Sequence, residues 1–209
     1  MTDGYELPMF PLGAILFPYV VLPLRVFEPR YRVLTHDCLA GNREFGVVLI
    51  ERGFEVGGGD VRFDLGTVAR IVQAAQTEDG RWGLLTVGSR RIRVDEWLPD
   101  DPYPKARVVD LPEDKVDERH KEALQRVERS VRRALALKAE LAERTVAPAT
   151  FELAEDLDVA GWQLAAYSPL AQVDHLRILG VDDPAERLSV LAELTEDAAS
   201  MLELRLTSG

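Results

Sequence analysis

Leu7-Pro8-Met9-Phe10-Pro11-Leu12 opens the stretch of sequence that decides the fold. It continues through Phe17-Pro18, Val21-Leu22-Pro23-Leu24 and Phe27-Glu28-Pro29-Arg30-Tyr31-Arg32. The stretch is almost wholly apolar, yet it holds five prolines before Arg30. Because proline fixes φ and donates no backbone hydrogen bond, it is excluded from helix interiors and central strands. We therefore predict short buried strands, broken at kinks, along one side of a β core.

The segment that follows predicts one helix and then a series of strands. Helical spacing begins near Tyr31 and stops at Gly41, which indicates a helix of about ten residues. Asp79-Gly80 predicts a hairpin turn, since it supplies the positive φ values that such turns need, and Gly88-Ser89 predicts a second turn. The glycine-rich segment 52–64 predicts a mobile connection. Turn signals at this spacing favour a compact barrel or sandwich, with strands predicted over 45–50, 65–76, 82–87, 91–94 and 106–109.

The second half of the chain predicts helices only. Residues 113–145 contain no glycine or proline, and their apolar positions recur at helical spacing. We predict a long helix over 113–146, then a small antiparallel bundle over 150–209 with caps at Ser168 and Asp183. Residues 151–167 form one helix, or two that meet at Gly161. The predicted fold is therefore α+β, with a barrel subdomain over 1–112 and a helical subdomain over 113–209.

Composition limits the classes of function. The 209 residues carry a net charge of −11, most of it in the helical half, which counts against binding of a polyanion such as nucleic acid. No apolar run approaches the ~20 residues that span a bilayer. The first residues lack the basic start of a signal peptide, and the single cysteine, Cys38, forms no internal disulfide. We predict a cytoplasmic protein.

The sequence offers no constellation for chemistry. The three histidines lie far apart at 36, 120 and 175, without the spacing of a metal site. No serine sits in a Gly-x-Ser-x-Gly motif, and no Gly-x-x-x-x-Gly-Lys-Ser/Thr loop is present to cradle phosphates. We therefore predict no catalytic residue, no cofactor and no metal, and a protein that is not an enzyme.

Several blocks carry a resemblance to a known family. They are Leu7-Pro8-x-Phe10-Pro11-Leu12, Phe27-Glu28-Pro29-Arg30-Tyr31-Arg32, Gly66-Thr67-Val68-Ala69-Arg70-Ile71 and Gly88-x-x-Arg91-Ile92-Arg93. In order and spacing they resemble the N-terminal, substrate-binding domain of the Lon ATP-dependent proteases. The resemblance implies a PUA-like pseudo-barrel followed by helices, and a role in recognising unfolded substrates. It suggests a free-standing protein of this type, with client proteins and a separate Lon protease as partners.

Two groups of residues are candidate binding surfaces. An apolar groove for extended segments would involve the aromatic residues Phe10, Phe17, Phe27, Tyr31 and Trp82, which could equally belong to the core. A basic strip of Arg70, Arg91 and Arg93 supports an alternative, RNA binding by the barrel, unless these arginines pair with Glu28, Asp95 and Glu96. Glu28-Pro29-Arg30 is also explained as the entry to a helix.

Overall fold

The computed structural model describes residues 4–55, 59–112, 114–141 and 151–208. The chain divides into two compact units, Met1–Glu113 and Asp114–Gly209. The boundary predicted from the sequence, between residues 112 and 113, lies one residue earlier. The described strands and one helix lie in the first unit, and the other described helices lie in the second.

The first unit is built on one sheet of six described strands. Their bounds are β1 Tyr5–Leu12, β2 Val21–Val26, β3 Glu44–Arg52, β4 Val61–Gln76, β5 Trp82–Leu98 and β6 Lys105–Asp110. The order is β2-β5-β4-β3-β1-β6, and β5 also pairs with β6. That pairing closes five strands on themselves, while β2 extends the sheet from the first half of β5. The α+β class with an N-terminal pseudo-barrel is confirmed.

Strand β1 accommodates its prolines by changing partner along its length. Residues Tyr5 to Pro8 pair with β6, whereas Met9 to Leu12 pair with β3. Each half of β1 therefore pairs with one strand only. A proline on its unpaired side removes no hydrogen bond from the sheet. Strand β1 therefore runs unbroken through Pro8 and Pro11, where the sequence predicts breaks, and the chain leaves the sheet over residues 13–20 before β2.

Strand β5 runs without interruption through Gly88-Ser89, so the turn predicted there is wrong. Between Thr67 and Ala69 on β4, the register on β5 passes from Arg91 to Gly88, which places a bulge in β5. A side-chain carbon on Gly88 would collide with the carbonyl oxygen of Phe17. A glycine is required here because the two backbones approach closely. The residues next to Gly88 in the sequence do not indicate this contact with Phe17.

Helix α1, Pro29–Ala40, connects β2 to β3. Pro29 occupies its first turn, and the Arg30 guanidinium reaches back to the Glu28 carboxylate at 3.2 Å. The helix ends where the N–H of Gly41 donates to the Asp37 carbonyl. These contacts confirm the helix entry that the Glu28-Pro29-Arg30 block indicates.

Two apolar clusters form the core of the first unit. One joins α1 to the inner face of the sheet, and within it the rings of Phe10 and Tyr31 stack with centroids 4.1 Å apart. The other fills the closed part of the barrel, with the buried residues Leu7, Met9, Val48, Val68, Ile92, Val94, Ala106 and Val108.

The second unit is a bundle of four described α-helices: α2 Lys121–Leu141, α3 Leu157–Tyr167, α4 Gln172–Leu179 and α5 Pro184–Ser208. The long helix begins later than the predicted residue 113. Asp117 caps a short 3₁₀ turn by accepting from the Arg119 N–H, and the Val116 N–H is held by the Asp158 carboxylate. These bonds keep residues 114–117 out of the helix. Its predicted end at 146 lies outside the described residues.

Of the two helix caps predicted in the bundle, the one at Asp183 is present and the one at Ser168 is not. Asp183 accepts from the Glu186 N–H at 2.8 Å and caps α5, as predicted. Ser168 does not begin the next helix: its hydroxyl donates back to the Ala165 carbonyl at 2.7 Å, and α4 begins at Gln172. Gly161 does not divide α3, because its neighbours Trp162 and Leu164 are fully buried and their packing outweighs the low helix propensity of glycine.

None of the helices in the described ranges has both the length and the apolar character needed to cross a membrane.

Candidate binding surface

The five aromatic residues proposed for a groove fall into two groups. Phe10, Phe17 and Tyr31 are only 7 %, 1 % and 3 % exposed. Phe10 also packs against Phe45, so it lies within the core. Phe17 lies wholly within the core, while Phe10 and Tyr31 reach only the lining of a small depression of about 180 Å³ that Phe27 also lines. The sequence alone did not decide between core and groove for these residues, because an apolar run has the same pattern in either location.

Phe27 and Trp82 remain at the surface, side by side. Trp82 opens β5 directly after the hairpin turn and pairs with Val26, so Phe27 follows immediately beyond this pair. The Phe27 side chain is 53 % exposed, whereas Trp82 is half-buried against the core. Together with residues 76–79 and Arg81 of the hairpin they line a depression of about 840 Å³.

A second depression adjoins the other side of Trp82. It has a volume of about 460 Å³ and lies against α1, where Pro29, Val33 and His36 form its wall. Val33 is 42 % exposed. Trp82 and Gln76 line both depressions, so the two adjoin. We refer to this surface, with Phe27, Val33 and Trp82 as its apolar residues, as the Trp82 groove.

The hairpin beside the Trp82 groove is held in shape by its own side chains. The Thr77 hydroxyl donates to the Asp79 carboxylate at 2.5 Å, and Arg81 pairs with the same carboxylate at 3.0 Å. The Thr77 bond, followed by one from the Arg81 N–H, lowers the pKa of Asp79. Gly80 adopts a φ of 77°, and the Arg32 guanidinium packs against it. The groove is therefore bordered by an ordered turn.

The three arginines of the proposed basic strip do not form a continuous basic surface. Arg70 pairs with Glu44 at 2.9 Å, and Arg93 lies 3.5 Å from Asp95. Arg91 is fully buried, and its guanidinium donates to the Pro112 carbonyl. The Arg93–Asp95 pair is one that the sequence left open, whereas Glu44 as the partner of Arg70 is a new finding.

Arg90 is the residue that sequence reasoning missed. Its guanidinium donates to the Glu44 carboxylate, the Asp110 carboxylate and the Tyr5 hydroxyl, all at 2.9–3.0 Å. Burial alone would raise the pKa of Glu44, but hydrogen bonds from Arg90 and Arg70 outweigh it and hold the pKa below its usual range. No local pattern marks Arg90, since its partners come from three other strands. The network stabilises the barrel.

The remaining reactive groups are placed for structure. Cys38 is buried, its thiol donates to the Glu44 carbonyl, and burial raises its pKa to about 12. His175 is buried beside Ser168, and burial lowers its pKa. Over the described ranges no three His, Cys, Asp or Glu side chains come together as metal ligands.

The comparisons with known proteins agree on one family. Residues 6–197 match the family described as the ATP-dependent protease La (LON) substrate-binding domain. The chain is 30 % identical over 206 residues to a Lon protease of Syntrophomonas wolfei and 29 % identical over 205 residues to that of Cytophaga hutchinsonii. Each match covers 95 % of this chain and 25 % of the relative. The chain thus spans about a quarter of the length of these curated relatives.

Solved structures show the same likeness. A Lon N-terminal domain protein from Xanthomonas campestris superposes with a TM-score of 0.64 and 30 % identity, over 90 % of this chain and 98 % of that one. The N-terminal domain of a Mycobacterium avium complex Lon protease gives a TM-score of 0.60 over 92 % of this chain and 99 % of that one. At 18 % identity the second likeness concerns the fold alone.

Proposed function

The chain belongs to the family of LON substrate-binding domains, and from this premise we propose that it binds extended or unfolded segments of client proteins through the Trp82 groove, without catalysing a reaction. The observation that carries the proposal is the exposure of Phe27 and Val33 beside Trp82. The three side chains line two adjoining depressions next to an ordered hairpin.

The chemistry of the groove suits such clients. An unfolded segment exposes the apolar side chains that a folded protein buries, and each one that becomes fully buried contributes about 1.5–3 kcal/mol. Two or three anchors therefore contribute about 3–9 kcal/mol, from which association and ordering of the segment subtract several kcal/mol, so we expect weak binding with a Kd on the order of 100 μM or above. An affinity of this order suits a module that must release its clients.

We further propose a cytoplasmic location and a Lon protease as a partner that receives the bound clients. Support for the partner comes from the relatives, which are named Lon protease and of which this chain matches about a quarter. The buried, unreactive Cys38 is consistent with a reducing compartment. Crosslinking mass spectrometry in native cells tests both points, and recovery of no Lon protease peptides would contradict the partnership.

Two variants and a matched control test the groove. Phe27→Ser and Val33→Ser remove exposed apolar groups, while Val173→Ser does the same on α4, where Val173 is 61 % exposed. We expect fluorescence anisotropy with a labelled, unfolded casein to show affinity falling by about five- to tenfold for the first two variants. The control should match the parent protein. Equal affinity in all four proteins would reject the groove as the binding surface.

RNA binding, the alternative function, receives less support from the arginines. Two of the three proposed contacts are paired with carboxylates and the third is buried. We expect no binding of a uridine oligonucleotide even at about 50 mM salt, where phosphate contacts are strongest. Salt-dependent binding at micromolar concentration would favour RNA instead.

A further inference from the structure

A second apolar surface lies on the opposite side of the sheet extension. Cross-strand pairs share one face of a sheet, and Val21 pairs with Val87 while Pro23 pairs with Leu85. These four residues alternate along their strands with Leu84 and Thr86, which are buried on the core side. We refer to Val21, Pro23, Leu85 and Val87, with Val72 of β4, as the outer face.

The outer face is unusually apolar for an exposed sheet surface of the first unit. Antiparallel sheets with one solvated face normally carry polar residues there. Here Val21 is 54 % exposed and Val72 is 47 % exposed. Val72 is the additional residue of a bulge, because the register passes from Ile71 to Gln73 on β4 but only from Thr86 to Leu85 on β5. A contiguous patch of this kind indicates a contact surface for another protein.

The charged residues that line the depression on the outer face are arginines. Arg25 and Arg43 line this depression, together with Pro23, Val72 and Leu85, and no carboxylate is among its lining residues. Arg70, the cross-strand partner of Val87, adds no net charge to the face, because Glu44 pairs with it at 2.9 Å. In a chain of net charge −11, this depression is thus lined by two arginines and no carboxylate. Charge complementarity calls for an acidic occupant.

We propose that the outer face docks an amphipathic helix of a partner protein, with its apolar stripe on Val21, Val72 and Leu85 and its carboxylates on Arg25 and Arg43. A helix is the element that covers an apolar sheet face in layered folds. Addition of a strand is disfavoured, because Pro23 removes a backbone donor from β2, which ends the sheet order. The face has no aromatic side chain on which bases could stack, so it is ill-suited to nucleic acid.

A synthetic helix provides the probe. Isolated helices shorter than about 15 residues are marginal, so we choose a fluorescein-labelled peptide of about 20 residues with a leucine stripe flanked by glutamates. A second peptide has lysine in place of every glutamate. We expect the acidic peptide to bind the full chain at micromolar concentration, more weakly as salt rises, and the lysine peptide to bind at least about tenfold more weakly.

Substitutions then locate the binding. Arg25→Glu and Val72→Asp should each weaken the acidic peptide by at least about fivefold. The matched controls Arg126→Glu on α2 and Val173→Asp on α4 should leave affinity within about twofold of the parent protein. Val21→Asp serves as a second probe of the face if Val72→Asp unfolds in circular dichroism. Phe27→Ser separates this proposal from the Trp82 groove, since it should leave the acidic peptide bound.

Three results would overturn the proposal. The first is no binding of the acidic peptide at high micromolar concentration, and the second is equal binding of the acidic and lysine peptides. The third is tight binding of a uridine oligonucleotide that Arg25→Glu abolishes, which would assign the face to nucleic acid.

Discussion

Arg90 on β5 and Glu44 on β3 are joined by two hydrogen bonds of 3.0 Å, although β4 lies between their strands. Glu44 also accepts from Arg70 on the intervening strand, and Arg90 continues to Asp110 on β6 and Tyr5 on β1. One carboxylate and one guanidinium therefore link all five strands that close the barrel. This polar network holds together the same strands that the apolar core joins.

This network predicts an acid-dependent loss of stability. The pKa of Glu44 is lower in the folded protein than its ordinary value. The ionised carboxylate therefore stabilises the fold fully above about pH 4.5, and this contribution is lost as the pH falls through the folded pKa. Glu44→Gln should reduce the free energy of unfolding by about 1–3 kcal/mol at pH 7 and by progressively less towards pH 3.

Urea unfolding of the parent protein and Glu44→Gln at pH 7, 5, 4 and 3 measures this difference. Glu78→Gln, which changes an exposed carboxylate of the β4–β5 turn, is the control and should follow the parent curve. A gap between parent protein and Glu44→Gln that stays constant over the whole pH range would contradict an ionised, stabilising Glu44.

The bulge at Gly88 gives a prediction with an internal control. A side-chain carbon at Gly88 would meet the Phe17 carbonyl oxygen, whereas at Gly83 the nearest heavy atom is 4.0 Å away. Gly88→Ala should therefore cost about 1–3 kcal/mol of unfolding free energy, as overpacking does, and Gly83→Ala should change it by less than about 0.5 kcal/mol. Thermal unfolding of the two variants measures this, and equal melting temperatures would refute the close approach.

Cys38 should be chemically silent in the folded protein. The residue is 3 % exposed and the pKa of its thiol is raised to about 12, so very little nucleophilic thiolate is present at pH 8. A disulfide reagent should modify it at the rate at which the first unit opens, and mild denaturant should accelerate the reaction sharply. Labelling within seconds in native buffer would show that the helix α1 leaves the core far more readily than its packing indicates.

The parts of the fold that the sequence predicted correctly depend on neighbours in the chain. Pro29 and Gly41 delimit α1, Asp183 caps α5, and Asp79-Gly80 turns the β4–β5 hairpin. Each of these signals acts within a few residues, so it can be recognised without the rest of the molecule.

The misses depend on contacts between distant segments. Gly88 was interpreted as a turn residue, whereas a glycine is needed there because the Phe17 backbone approaches closely. Helix α2 begins at Lys121 and not at residue 113, because Asp158 holds the N–H of Val116. For the site, composition identified the aromatic residues but could not assign them to core or surface. Only the pairing of Val26 with Trp82 places Phe27 beside the tryptophan.

Phe10 and Phe27 should therefore respond in opposite ways to truncation, although both were candidates for one groove. Phe10 is 7 % exposed and stacks on Tyr31, so Phe10→Ala should remove about 3–5 kcal/mol of stability through lost burial and the cavity left behind. Phe27 is 53 % exposed, so Phe27→Ala should cost less than about 1 kcal/mol but weaken client binding about fivefold. Measured below the melting temperature of both variants, casein binding should persist in Phe10→Ala and fall in Phe27→Ala. The reverse pattern, with binding lost only in Phe10→Ala, would mean that clients enter the barrel itself, and that the stacked pair opens to admit them.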